Sequence, residues 1–224
     1  MKKLLLLVAC FIIGHLSVNG QCNPYYDIEE GTVYEITSYD HKDKVSGRTV
    51  SKIDSYEETS NGWKAQIDFK TYDKKDELIL ENEDVEMTCA NGVIEMDMQR
   101  FMPAQMMESF KEMNFQMDID NIQIPSELNV GDELDDGSIT MTGDIPMTIS
   151  IKIENRKVEA KETITTPAGT FECYKISYDV NMKTVMNQSS KGVEWIAKDV
   201  GVVKSESYNG RGKLMGYSLL TKFE

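Results

Sequence analysis

Phe171-Glu172-Cys173-Tyr174-Lys175-Ile176-Ser177-Tyr178-Asp179-Val180 alternates apolar and polar side chains through most of its length. That is the period of a strand with one buried face and one wet face. The same alternation runs through Thr32-Val33-Tyr34-Glu35-Ile36, through Trp63-Lys64-Ala65-Gln66-Ile67-Asp68-Phe69, and from Met147 to Glu154. Between such runs stand Asn61-Gly62, Asn91-Gly92 and Asn209-Gly210. This dipeptide tolerates the positive φ angles of a tight hairpin turn. Ser46-Gly47, Asp136-Gly137 and Ala168-Gly169 are weaker turns of the same kind. Antiparallel strands joined by short turns follow.

One segment departs from this period. After Pro103, the residues Met106, Met107, Phe110 and Met113 recur at helical spacing, so 103–114 reads as a single amphipathic helix with Pro103 in its first turn. The run from Asn121 to Asp132 has turn residues and little periodicity, and reads as a loop or an edge strand. About ten strands and one helix give a mainly β fold: a single curved antiparallel sheet forming an open half barrel, with the helix across its concavity. A flat two-sheet sandwich is the structural alternative. No fixed-period repeat and no linker divides the chain, so residues 21–224 read as one β-rich domain.

The first twenty residues set Lys2 and Lys3 before an apolar run from Leu4 to Ile13, which relaxes into Ser17, Val18, Asn19 and Gly20. That order is a secretory signal peptide, with cleavage after Gly20. The apolar run is too short for a bilayer-spanning helix, and no other segment approaches that length, so the chain is not expected to span a membrane. A rival reading takes Leu7-Val8-Ala9-Cys10 as an acylation site that would make the protein a lipoprotein at Cys10. Export to the periplasm or the extracellular space is the expectation.

Removing Lys2 and Lys3 takes the net charge from −14 to −16. Nucleic acid is an improbable partner for so acidic a chain, because phosphate binding depends on Lys and Arg. Cys22, Cys89 and Cys173 remain after cleavage, and two of them can pair in an oxidising compartment. Cys89 and Cys173 both lie in strand-like segments, which suits either a bridge between them or two buried thiols. His41, the lone histidine after cleavage, sits in the charged turn Asp40-His41-Lys42-Asp43-Lys44 and reads as a surface residue.

No constellation of an enzyme is present. Carboxylate pairs such as Glu29-Glu30, Glu57-Glu58 and Asp135-Asp136 are expected by chance in an acidic chain. Asp118, Asp120 and Asn121 suggest a calcium loop only faintly, since Gln123 stands where that loop needs glycine. No Gly-x-Ser-x-Gly elbow, phosphate loop or zinc spacing occurs. A non-enzymatic protein without metal or cofactor is therefore expected. The compositional excess is methionine, with Met87, Met96, Met98, Met102, Met106, Met107, Met113, Met117, Met141 and Met147 clustered around the expected helix. Flexible thioethers fill irregular cores, and they also line adaptable apolar grooves. The candidate ligand-binding residues are Met102, Met106, Met107, Phe110 and Met113.

Thr166-Pro167-Ala168-Gly169-Thr170-Phe171-Glu172-Cys173-Tyr174-Lys175-Ile176 and Glu194-Trp195-Ile196-Ala197-Lys198-Asp199-Val200-Gly201-Val202-Val203-Lys204 resemble a family of uncharacterised exported Bacteroidetes proteins described as TapB-like, a domain of unknown function. Gly31-Thr32-Val33-Tyr34-Glu35 and Val130-Gly131-Asp132-Glu133-Leu134 fit the same pattern. The resemblance implies a half-barrel sheet similar to lipoprotein carriers, and implies no activity. The expected function is an envelope protein that binds a lipid-like or other apolar ligand in the concave face. The alternative is a structural or assembly protein of the envelope whose strand edges pair with protein partners.

Overall fold

The computed structural model describes residues 22, 25, 29–96, 116–143, 148–183 and 187–224. The signal-like residues 1–20, the helix expected at 103–114, and Met102, Met106, Met107, Phe110 and Met113 lie outside them. No helix occurs among the described residues, so none there is long and apolar enough to cross a membrane.

The strands are β1 (Val33–Asp40), β2 (Val45–Thr59), β3 (Gly62–Asp73), β4 (Leu78–Ala90), β5 (Val93–Met96), β6 (Gln116–Asp120) and β7 (Ile122–Pro125). There follow β8 (Glu133–Leu134), β9 (Gly137–Thr142), β10 (Thr148–Thr166), β11 (Gly169–Lys183), β12 (Asn187–Ala197), β13 (Gly201–Asn209) and β14 (Leu214–Phe223). All of them join one antiparallel sheet in the order β6-β9-β10-β11-β12-β13-β14-β1-β2-β3-β4-β5-β7, with β8 beside β10. The alternating segments read from the sequence are β1, β3, β10 and β11, and residues 122–125 form an edge strand.

The half-open barrel needs correcting. The two edge strands, β6 and β7, are consecutive in sequence with Asn121 alone between them. The chain thus steps from one edge of the sheet to the other through one residue, and the sheet nearly closes on itself. Periodicity reveals strands but not which edges meet, so the sequence could not show this closure.

Turn chemistry is met in part. Asn91 and Gly92 have φ values of 52° and 82° and join Ala90 to Val93 in a two-residue hairpin, as expected of a primed turn. Asn61-Gly62 is different: Thr59 pairs with Gly62, so Gly62 already belongs to β3. A Cβ there would stand 1.9 Å from the Cys89 carbonyl oxygen and 2.8 Å from Cys22 Sγ; closeness of approach, not φ, is why glycine occupies it. At Asn209 the loop is longer, and the Asn209 side chain accepts from the Arg211 and Lys213 N–H groups, both at 3.0 Å. Asp40 accepts in the same way from Lys42 and Lys44 at 2.7 and 3.1 Å, and Asp73 from Lys75 and Glu77 at 2.8 and 3.0 Å. One loop design is therefore used three times, and exposed His41 sits in one copy.

The cysteine pairing also needs correcting. Cys22 is bonded to Cys89 with a Cα–Cα distance of 5.7 Å, and Cys173 is a buried free thiol. Cys89 on β4 and Cys173 on β11 belong to strands far apart in the order, and the Cys89 sulfur is already taken by Cys22. Cys22 instead lies against β3 and the β4–β5 turn: its carbonyl accepts from Trp63 Nε1 at 2.6 Å, and its sulfur from the Gly92 N–H at 3.3 Å. Tyr25, nearby in sequence, packs edge-on against Tyr174 of β11 with ring centroids 6.3 Å apart. Cys22 and Tyr25 thus tie the N-terminal segment to both walls of the barrel.

Candidate functional site

The inward faces of the strands are apolar. Ile53, Ile94, Ile124, Ile139, Ile176 and Leu220 are almost wholly shielded from solvent and fill part of the interior. The rest is a cavity of about 530 Å³, within the roughly 300–1,000 Å³ of small-molecule sites. Its wall is drawn from β1–β5, β7 and β9–β13, so it is the inside of the barrel. Ile67, Ile151, Ile153, Val180 and Val202 are typical of that wall, and Met87 and Met96 are the two clustered methionines that the structure places on it, with Met182 from outside the cluster.

Polar residues interrupt this apolar lining: Ser51 and Ser205, and the larger Arg156, Tyr178 and Glu194. Arg156 is 2% exposed. Its Nη1 donates to the Gln123 carbonyl at 2.9 Å and to the Asp135 carbonyl at 2.6 Å. Its Nη2 is buried and has no hydrogen-bond partner. Burial lowers the guanidinium pKa from its ordinary value, and Glu194 acts against that shift.

A β-bulge aims Arg156 inward. Ile151 and Ile153 face the cavity, so strict alternation would bring Asn155 inward and turn Arg156 out. Between Glu154 and Lys157 the register with β11 shifts, three steps along β10 matching two along β11, from Asp179 to Ser177. The extra residue is accommodated at Asn155, whose φ is 55°, and whose N–H and Nδ2 donate to Asp136 Oδ1 at 3.1 Å and Asp179 Oδ2 at 2.9 Å. Such a bulge re-aims the following side chain. The sequence reading missed Arg156. The available signal was the change of phase from Ile149, Ile151 and Ile153 to Val158 across an asparagine.

A second, smaller cavity of about 360 Å³ lies at the seam among polar side chains that include Asp120, Asp136 and Glu154. Among the described residues no group of three or more His, Cys, Asp or Glu is arranged to hold a metal ion. The Cys173 thiol is pushed up to about 11 by burial and by Glu162, which disarms it as a nucleophile.

Comparison with known proteins gives a family and a fold. The family described as DUF3108-like matches residues 29–220. A crystal structure of a Bacteroides fragilis protein, described as a candidate exported protein with a YmcC-like fold, is 24% identical with a TM-score of 0.73, covering 91% of this chain and 100% of that one. A candidate lipoprotein of Parabacteroides distasonis is 22% identical with a TM-score of 0.75, again covering 91% and 100%. At these identities the likeness is one of fold. No curated protein matches the chain.

Proposed function

Because the chain belongs to the DUF3108-like family, whose description names no activity, the interior of the barrel has to carry the functional reading, and we propose that the protein is a non-enzymatic, exported binding protein that encloses an apolar ligand. The observation that carries it is the cavity of about 530 Å³ lined mainly by aliphatic side chains. Fully packed barrels of this kind fill their interior with side chains; one that keeps such a space can hold a small ligand.

Export is supported by the signal-like order of residues 1–20, and by the Cys22–Cys89 bridge, which persists in oxidising compartments. The similar Bacteroides and Parabacteroides proteins, described as a candidate exported protein and a candidate lipoprotein, agree with it. Assembly through strand edges has less support, since the two edges of the sheet adjoin each other across Asn121.

The test is to purify residues 21–224 under native conditions, extract with organic solvent and examine the extract by mass spectrometry, then titrate the delipidated protein with Nile red. An enriched lipid, or saturable dye binding that a lipid extract reverses, is expected. No enriched compound together with no dye binding overturns the reading.

A further inference from the structure

Resting on the apolar-ligand reading, we propose that the ligand is an acyl chain ending in a single carboxylate, and that Arg156 Nη2 donates to that carboxylate inside the barrel. Nη1 of the same guanidinium is fully engaged by the carbonyls of Gln123 and Asp135. That anchorage fixes the group and leaves Nη2 buried and without a partner, on a residue that lines the cavity. Buried donors in native proteins are nearly always paired, so an exception on a residue that borders a cavity marks a place that a ligand completes. The acceptor that suits a guanidinium best is a carboxylate, because both partners are charged and the planar fork matches its oxygens.

The other polar residues of the wall narrow the head group further. Glu194 lines the same cavity as Arg156 and is the foremost charge favouring the ionised guanidinium, ahead of Tyr178, Asp136 and Asp135, so the barrel already has an internal counter-charge. A phosphate monoester would bring nearly two negative charges beside that carboxylate. A monocarboxylate brings one and meets the free donor. The aliphatic remainder of the wall takes the chain.

The experiment uses delipidated residues 21–224 and displacement of Nile red by palmitate, methyl palmitate, hexadecyl phosphate and hexadecane. Palmitate is expected to bind about tenfold or more tighter than methyl palmitate, the difference that a charged hydrogen bond makes, and hexadecyl phosphate more weakly than palmitate. Glu194→Gln, which leaves the Arg156 anchorage in place, should shift the preference further toward the acid, and Arg156→Lys should reduce it. Equal binding of palmitate and methyl palmitate overturns the head-group inference while leaving the apolar-ligand reading intact, with water then meeting Nη2. Tighter binding of hexadecyl phosphate than palmitate also overturns it. Failure of all four probes to displace the dye overturns the head-group inference and counts against the apolar-ligand reading as well.

Discussion

Arg156 on β10 and Gln123 on β7 stand toward opposite ends of the strand order, yet the Arg156 Nη1 donates to the Gln123 carbonyl at 2.9 Å. One side chain thereby stitches the seam of the barrel from within. Arg156→Ala should destabilise the protein by about 2–4 kcal/mol, since it leaves the Gln123 and Asp135 carbonyls without this donor and opens a void. Urea unfolding gives the loss, and hydrogen exchange should locate the loosening in β7. An unchanged midpoint would show that the seam holds without the stitch.

The Cys22–Cys89 bridge closes a loop with a sequence separation of 67. By the chain-entropy relation, losing it should cost about 4 kcal/mol. The comparison is Cys22→Ala/Cys89→Ala against the oxidised parent in urea. Under the same conditions, thiol labelling of oxidised residues 21–224 should find Cys173 alone, and only after unfolding, because burial shields it and holds its pKa at about 11. Labelling of Cys22 or Cys89 in non-reduced protein would contradict this pairing.

Gly62 is held between the backbone of Cys89 and the sulfur of Cys22. Gly62→Ala places a methyl against a carbonyl oxygen that a neighbouring strand holds in place, and should cost about 3 kcal/mol or more. Adding Cys22→Ala removes one of the two obstacles but leaves the backbone clash, so most of the penalty should survive in that background. A Gly62→Ala protein as stable as the parent would refute the close approach.

Alkali should weaken the fold through two tyrosines. Tyr25 is pushed up to about 12 by burial and by Tyr174, and Tyr208 to about 12 by its hydrogen bond to the Glu206 carboxylate, then by burial. The folded chain keeps both protons at a pH where an ordinary tyrosine, at 10.0, has released its own. Their contribution is therefore complete below about pH 10 and declines as pH rises toward 12. Urea midpoints measured across that interval should fall, and less steeply in Tyr208→Phe. A flat profile would refute the shifts.

What the sequence revealed and what it concealed divide along the same physical line. Alternation in β1, β3 and β11 comes from burial of one face, which is local and legible. The Asn91-Gly92 turn was legible because its chemistry lies in two adjacent residues. The Asn155 bulge was not, because the register shift exists only relative to β11, and with it went the inward aim of Arg156. Cys22 was passed over for the same reason. Its partner is chosen by a segment without periodicity, which is pinned by Trp63 Nε1 and the Gly92 N–H.

The pairing of β1 with β14 has a consequence for how the molecule comes into being. Thr37 hydrogen-bonds Thr221 across these strands at 3.0 Å, 184 positions apart. Until residues 214–223 have emerged from the ribosome, or from a translocation channel, β1 can pair only with β2, and its other edge lies bare. Contacts so distant in sequence form slowly, and an unpaired edge in the meantime invites aggregation. The barrel is thus a structure that can be finished only once residues 214–223 are free to pair, and until then the outer edge of β1 is open to wrong partners.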